Sequence, residues 1–409
     1  MRSFVVMLAL LAGASAHAAD DADALTLADQ TPTAPQSASD WRVFTEFARV
    51  HSPLQESARA SFDLLYDGKL APGLRAVLSD RLDVTHSNAS PHETKVNTLR
   101  EAYVSWQRRD DQIVDLGRIN LRYGAASGYN PTDFFKAGAL RSIVSPAPAS
   151  LRENRLGTVV LQGQQLWSTS SLAAIYSPRL ASAPSSDAFS PDFGATNPRH
   201  RWLLVGSHRF SEAFNPQLLL FGGAGLSPQA GLNVSGLLNN ATVAFGEWSV
   251  GDGRSLASQA LGLPDAEHSQ RRAALGFTTT TDFNLSFTAE AEFNSAAPDR
   301  AQWNALRAAG PFNTLRLLGA AQALQDLPVR EAWFFYVSWQ DMGLKHLDLS
   351  AFLRSERATL SRSQWLELRY RWSRVDAAVQ WQLYSGAAGS VYATVPQQRS
   401  IQLLLRVFL

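Results

Sequence analysis

Apolar and polar residues alternate along most of this chain. The final stretch, Arg399–Leu409, reads RSIQLLLRVFL. Ile401, Leu403, Leu405, Val407 and Leu409 share one side of an extended backbone; Ser400, Gln402 and Arg406 share the other, with Leu404 and Phe408 among them. Successive side chains of a strand point to opposite faces, so this is a strand with one apolar and one largely polar face. Earlier runs repeat the pattern. Phe283, Leu285, Phe287, Ala289, Ala291 and Phe293 oppose Asn284, Ser286, Thr288, Glu290 and Glu292. Ala58–Tyr66, Leu347–Arg354, Leu366–Trp372 and Ala377–Tyr384 alternate in the same way. In a soluble sandwich the apolar face is the core; in a transmembrane barrel it meets lipid and the polar face meets the lumen. Alternation alone does not separate the two.

Connector lengths do. The tight connectors are 67–70, 108–111, 167–170, 211–215, 279–282, 340–344 and 373–375. Between them lie longer ones at 86–96, 120–155, 178–200, 251–269, 294–327 and 386–398. Short periplasmic turns alternating with long external loops are the signature of outer-membrane barrels. The fold class expected is therefore all-β: a closed antiparallel transmembrane β-barrel of about 18 strands, with 16 as the alternative, over residues 40–409. The weakest strand is 230–236. Residues 294–327 have helix-compatible spacing at Trp303, Leu306, Leu315 and Leu318, interrupted at Pro311. Trp41, Trp106, Trp167, Trp339 and Trp372 fall near the expected periplasmic ends, and Tyr176 and Trp248 near the external ends, as girdle aromatics do.

The first residues, MRSFVVMLALLAGASAHAAD, read as a secretory signal peptide. Arg2 supplies the positive end, Phe4–Ala14 the apolar core and Ala16-His17-Ala18 the cleavage pattern, which assigns 1–18 to the signal. Residues 19–39, rich in Asp, Ala, Thr, Pro and Ser, read as a solvated periplasmic tail. No other segment offers the roughly 20 apolar residues of a spanning helix. The net charge is +1 and cysteine is absent. A near-neutral chain lacks the basic stripe of a nucleic-acid binder, and without cysteine there is no thiolate metal site or Cys nucleophile.

The most informative loop is 120–155, NLRYGAASGYNPTDFFKAGALRSIVSPAPASLRENR. Tyr123, Tyr129, Phe134 and Phe135 can bury area, and Gly124 and Gly128 admit unusual backbone angles. The loop is expected to fold into the lumen as a constriction, with Arg122, Asp133, Lys136 and Arg141 facing the permeant; the alternative is an external loop packed on its neighbours. The segments LREAYVSW (Leu99–Trp106), DLGR (Asp115–Arg118) and YGAASGYNPTDFF (Tyr123–Phe135) resemble a family of poorly characterised proteobacterial outer-membrane barrels. That resemblance implies a porin-like barrel and names no substrate. Such barrels usually end in Phe or Trp, whereas this chain ends Val407-Phe408-Leu409.

With polar faces inward, the lumen receives Arg59, Arg75, Arg81, Arg272, Arg369, Arg371 and Arg406, and also Asp63, Asp115, Glu290, Glu292, Asp348 and Glu367. Neither sign dominates. Arg369, Arg371 and Arg406 either attract an anion or pair with Glu367 and stiffen the wall. No G-x-S-x-G elbow and no second His after His92-Glu93 is present, so no enzyme is expected. The function expected is passive diffusion of small solutes through the outer membrane, without a cofactor or metal. The alternatives are an accessory or export barrel of a secretion or surface-polysaccharide system, and a closed structural barrel. The partners expected are outer-membrane lipids, a small permeant and the barrel-assembly machinery, with a homo-oligomer left open.

Overall fold

The structure is a computed structural model that describes residues 40–211, 213–310 and 312–409. The signal peptide and tail expected over 1–39, and Pro311, lie outside the described residues.

Eighteen strands form one closed antiparallel sheet. They are β1 (Trp41–His51), β2 (Glu56–Ala71), β3 (Leu74–Ser87), β4 (Ser90–Arg109), β5 (Gln112–Ile119), β6 (Thr158–Leu166), β7 (Ser170–Ser177), β8 (Arg201–His208) and β9 (Gln217–Gly223). The circuit continues with β10 (Leu226–Asn239), β11 (Thr242–Gly253), β12 (His268–Thr280), β13 (Leu285–Asn294), β14 (Glu331–Trp339), β15 (Leu347–Glu356), β16 (Arg362–Arg371), β17 (Val375–Ser385) and β18 (Arg399–Phe408). Each strand pairs with its sequence neighbours. β1 closes on β18 with Phe44 opposite Phe408 and Glu46 opposite Arg406. Closure leaves no row of unpaired backbone N–H and C=O groups, which hydrocarbon could not satisfy.

Burial decides between sandwich and barrel. The strand residues that are buried include Glu46, Asp63, Arg81, Glu247, Glu290, Glu292 and Asn294, whereas Leu116, Leu218, Trp381 and Leu403 are exposed on the outer wall. In β18, Leu403 is 54% exposed and its neighbour Leu404 is 6% exposed. A sandwich would show the reverse, because water would face its charged side chains. Trp41, Trp106, Trp167 and Trp372 stand exposed at strand ends, while Trp339 is half-buried and donates Nε1–H to the Phe283 carbonyl at 3.2 Å.

One end of the barrel carries only short turns: 72–73, 110–111, 167–169, 209–216, 240–241, 281–284, 340–346 and 372–374. The other end carries the long connections 120–157, 178–200, 254–267, 295–330 and 386–398, but also four short ones at 52–55, 88–89, 224–225 and 357–361. The strands depart from the sequence expectation at three places. The stretch 86–96 is no loop: Ser87 pairs with Ser90 in a tight hairpin. The turn placed at 67–70 lies at 72–73, and the weak strand 230–236 is the middle of a 14-residue strand. β2, β3 and β4 run to 16, 14 and 20 residues, beyond the roughly 9–11 that cross hydrocarbon, so their ends project into water where alternation fades.

Four helices on the long-loop end matter below: α1 (Pro148–Glu153), α3 (Leu256–Leu261), α4 (Arg300–Ala309) and α5 (Asn313–Leu324), with the single turn α2 (Phe193–Thr196) between the first two. α4 opens with a capping box between Asp299 and Gln302. Leu256, Trp303, Leu317, Ala321, Val391 and Tyr392 bury one another there in a small apolar core.

Candidate functional site

The connection 120–157 enters the lumen. Its aromatic side packs on the inner wall of β5–β9, where Phe135 joins Ile119, Val160, Ile175, Leu203, Leu219 and Phe221 in one buried cluster. Phe134 stacks on Phe221 with ring centroids 4.9 Å apart and planes at 3°. This inward apolar patch explains why the loop does not float outside: Tyr123, Phe134 and Phe135 find apolar contact there.

The tip of the loop docks on acids of the opposite wall. Glu290 accepts from the backbone N–H of Ser127 at 2.6 Å and of Gly128 at 2.9 Å. Glu247 accepts from the N–H of Ala126 at 2.7 Å and from the Thr132 hydroxyl at 3.0 Å. Arg354 bridges Glu292, at 2.9 Å, and the Gly128 carbonyl. A carboxyl group that accepts two bonds from the loop fixes its tip at more than one point. Two glycines make the approach feasible. Gly124 has φ +94, and a Cβ there would lie 2.2 Å from a Glu247 oxygen. A Cβ at Gly128 would lie 2.4 Å from Glu292 Oε1 and 2.6 Å from Phe334.

A second latch joins this loop to the 295–330 connection. Asp326 pairs with Lys136 at 3.3 Å, with Arg272 at 3.7 Å, and accepts from the Tyr129 hydroxyl at 3.0 Å. The Gly138 N–H donates to the Ala323 carbonyl at 2.8 Å. Burial pushes the Asp326 carboxyl up, but Lys136 and then Arg272 outweigh it and hold it below the ordinary aspartate range. Burial pushes the Lys136 ammonium down, against the pull of Asp326.

Opposite the aromatic anchor, the lumen stays open as a cavity of about 1180 Å³ between residues 144–154 of the loop and the inner wall of β1–β4 and β14–β18. It extends to Arg42, Trp372 and Phe408 at the short-turn end. Val144 marks the close approach to the wall: its carbonyl accepts from Arg59 at 3.4 Å and from Gln402 at 3.5 Å.

The sequence-predicted residues divide into two groups. Arg122, Arg369, Arg371, Arg406 and Glu367 all line this cavity. Asp133, Lys136 and Arg141 do not. Asp133 is 2% exposed and pairs with Arg155 at 2.8 Å. Lys136 sits in the Asp326 latch, 4.5 Å over the Tyr129 ring. Arg141 donates to the carbonyls of Asn97, Asp187 and Ser190, tying the loop to β4 and the 178–200 connection. These three point into packing contacts because the loop, once inside, buries its own polar groups against its neighbours.

The arginines of the cavity are held by carboxylates. Glu46 is met by Arg59 at 3.0 Å, Arg81 at 2.8 Å and Arg406 at 2.9 Å. Asp63 is met by Arg100 at 2.6 Å and Arg81 at 3.4 Å. Arg369 pairs with Glu367 at 2.9 Å and Arg371 with Asp348 at 2.6 Å. Of the three clustered arginines, only Arg369 takes Glu367 as its partner. Glu46, Arg100, Glu247, Arg354 and Asp326 were missed in the sequence. The only signal for Glu46 was its parity, masked by Trp41, Phe44 and Phe47 falling on both faces.

No protein-family model matches this chain, and no curated protein matches it. Solved structures do. OccAB1 of Acinetobacter baumannii superposes with a TM-score of 0.58 at 9% identity, over 92% of this chain and 99% of that one. OprD of Pseudomonas aeruginosa gives 0.53 at 9% identity, over 91% and 95%. The outer membrane protein opdK of Pseudomonas aeruginosa gives 0.52 at 8% identity, over 90% and 98%. At these identities the likeness is one of fold, and it extends over nearly the whole barrel.

Proposed function

We propose that this chain is a porin-like channel of a bacterial outer membrane, passing small polar solutes by passive diffusion through the arginine-lined cavity beside the inward loop. One observation carries the reading: a closed sheet that buries its charged side chains and exposes its Leu and Trp side chains also leaves a cavity of about 1180 Å³ along its inner wall toward the short-turn end. The short-turn end then faces the periplasm and the long loops face outside. An outer membrane protein, opdK, has the same fold.

The lining residues suit transit rather than capture. A solute entering from the loop side meets Arg122, then guanidinium groups at Arg406, Arg369 and Arg371 that are already paired. Paired groups offer hydrogen bonds to replace part of a solute's hydration without the deep well of a free cation, so the solute can leave again. Eight arginines and seven carboxylates line the cavity, so strong charge selectivity is not expected. Asp133, Lys136 and Arg141 hold the loop in place. Insertion by the barrel-assembly machinery through the terminal strand belongs to the same proposal.

Refolded protein in a planar bilayer tests it. Discrete conductance steps are expected, and they should persist when 19–39 is deleted; loss with the tail would favour an accessory barrel that needs a periplasmic partner. A closed scaffold is the second reading, favoured by the interlocking of 120–157, 178–200 and 295–330. Absence of steps from correctly folded protein would select it.

A further inference from the structure

Outward-facing arginines gather at the long-loop end of the closing seam. Arg362 is the first residue of β16, Arg399 the first of β18, Arg357 follows the last residue of β15, and Arg49 lies two residues from the end of β1. Alternation fixes their direction. Ser363, beside Arg362, is buried against the lumen, and Arg399 shares its face with the exposed Ile401. Arg49 meets Glu56 at 3.3 Å and Arg357 meets Glu331 at 3.6 Å, both as solvent-exposed pairs. Arg362 and Arg399 are exposed and form no ion pair among the described residues. Arg49, Arg357, Arg362 and Arg399 against Glu56, Glu331 and Glu93, the last bordering the adjoining groove, leave this rim positive by one, directly above the apolar wall of Leu366, Trp381, Ile401 and Leu403. On that wall, Ala58, Ala60 and Ala377 leave a groove of about 760 Å³ that Arg49 also borders.

We propose that this rim binds a lipid of the outer leaflet whose headgroup carries more than one phosphate. The guanidinium fork matches phosphate oxygens two at a time. Arg362 pairs with Ser385 and Arg399 with Leu383, so the two stand on either side of β17 and two residues out of step, about 12 Å apart at ordinary strand spacing and rise, and two phosphates of one headgroup can be held together. Acyl chains then lie along the exposed leucines and in the alanine groove. A second copy of the chain fits less well, since a two-fold contact here would set arginine against arginine. The inference rests on the long-loop end facing outside.

The test uses the full mature chain in detergent, with diphosphoryl lipid A and its dephosphorylated form as probes, read by native mass spectrometry and by thermal shift. The wild type should bind the diphosphoryl lipid and gain thermal stability, and dephosphorylation should remove the effect. R362Q/R399Q should weaken binding by about tenfold or more, with R362K/R399K intermediate. Equal binding of the two lipids, or undiminished binding by the glutamine variant, would overturn the proposal. So would a lipid-free dimer that the glutamine variant dissolves. If the glutamine variant does not fold, the wild-type comparison of the two lipids decides. Orientation is checked separately. The chain has no cysteine, so an Arg362→Cys variant should be labelled from outside intact cells. Failure there sinks the sidedness, whereas failure to bind lipid leaves the channel reading standing.

Discussion

Replacing Gly128 by alanine should release the loop that narrows the bore. The new Cβ would stand 2.4 Å from Glu292 Oε1 and 2.6 Å from the Phe334 ring, so the tip must move away from its seat. Moving it breaks the Ser127 and Gly128 N–H bonds to Glu290, at 2.6 and 2.9 Å, and the contact of Arg354 with the Gly128 carbonyl. Hydrogen bonds contribute about 0.5–1.5 kcal/mol each, so two of them hold the tip by about 1–3 kcal/mol. That raises the undocked population by about 5- to 150-fold. The barrel itself, held by eighteen paired strands, should still fold. Single-channel recording in symmetric salt is the assay. Gly128→Ala should show a larger and noisier open current than wild type. Gly163→Ala, where a Cβ would meet nothing within 4 Å, should match wild type. Identical current and noise in all three would refute the claim that 120–157 sets the narrowest point.

Further perturbations test other parts of the account. Glu46→Gln leaves Arg59, Arg81 and Arg406 without their shared partner; unfolding in denaturant should show a loss of about 3–5 kcal/mol, and the reversal potential in a salt gradient should move toward anions, neither of which a distant Glu46 would cause. Leu403→Arg, on the lipid face, should cost about 2–4 kcal/mol in a lipid-folding titration while Gln402→Arg, facing the lumen, costs little; the opposite ranking would invert the barrel. Because the Asp326 carboxyl is held below its ordinary range, its contribution to the Lys136 latch is present at neutral pH and is lost as pH falls below about 4. Asp326→Asn should therefore differ from wild type in open-channel noise at pH 7 and converge with it near the acid limit; a difference that grows on acidification would contradict this.

How much of this the sequence reveals follows from where each signal resides. Lipid-facing alternation is local, so 283–293 and 399–409 disclose strand type and facing directly, and the strand total follows from the repeated run length. The projecting hairpin at 87–90 has water on both faces, which removes the alternation and makes His92-Glu93-Thr94-Lys95 look like a loop. Parity alone points Arg369, Arg371, Arg406 and Glu367 inward, and the cavity collects them. The seat of the loop is different in kind. Glu247 lies 121 positions from Ala126, and Asp326 lies 197 from Tyr129. Nothing periodic connects such pairs, so the direction in which Asp133, Lys136 and Arg141 point is set by contacts that a single sequence does not display.

The most direct measurement is thiol accessibility in the open channel. An Arg122→Cys variant places the chain's single sulfhydryl on the cavity wall, and a Leu403→Cys variant places it on the outer wall. A charged, water-soluble thiol reagent in the bathing electrolyte should reduce the current of the first in discrete steps and leave the second untouched. Modification of Leu403→Cys with no effect at Arg122→Cys would mean that ions do not pass along the arginine-lined cavity.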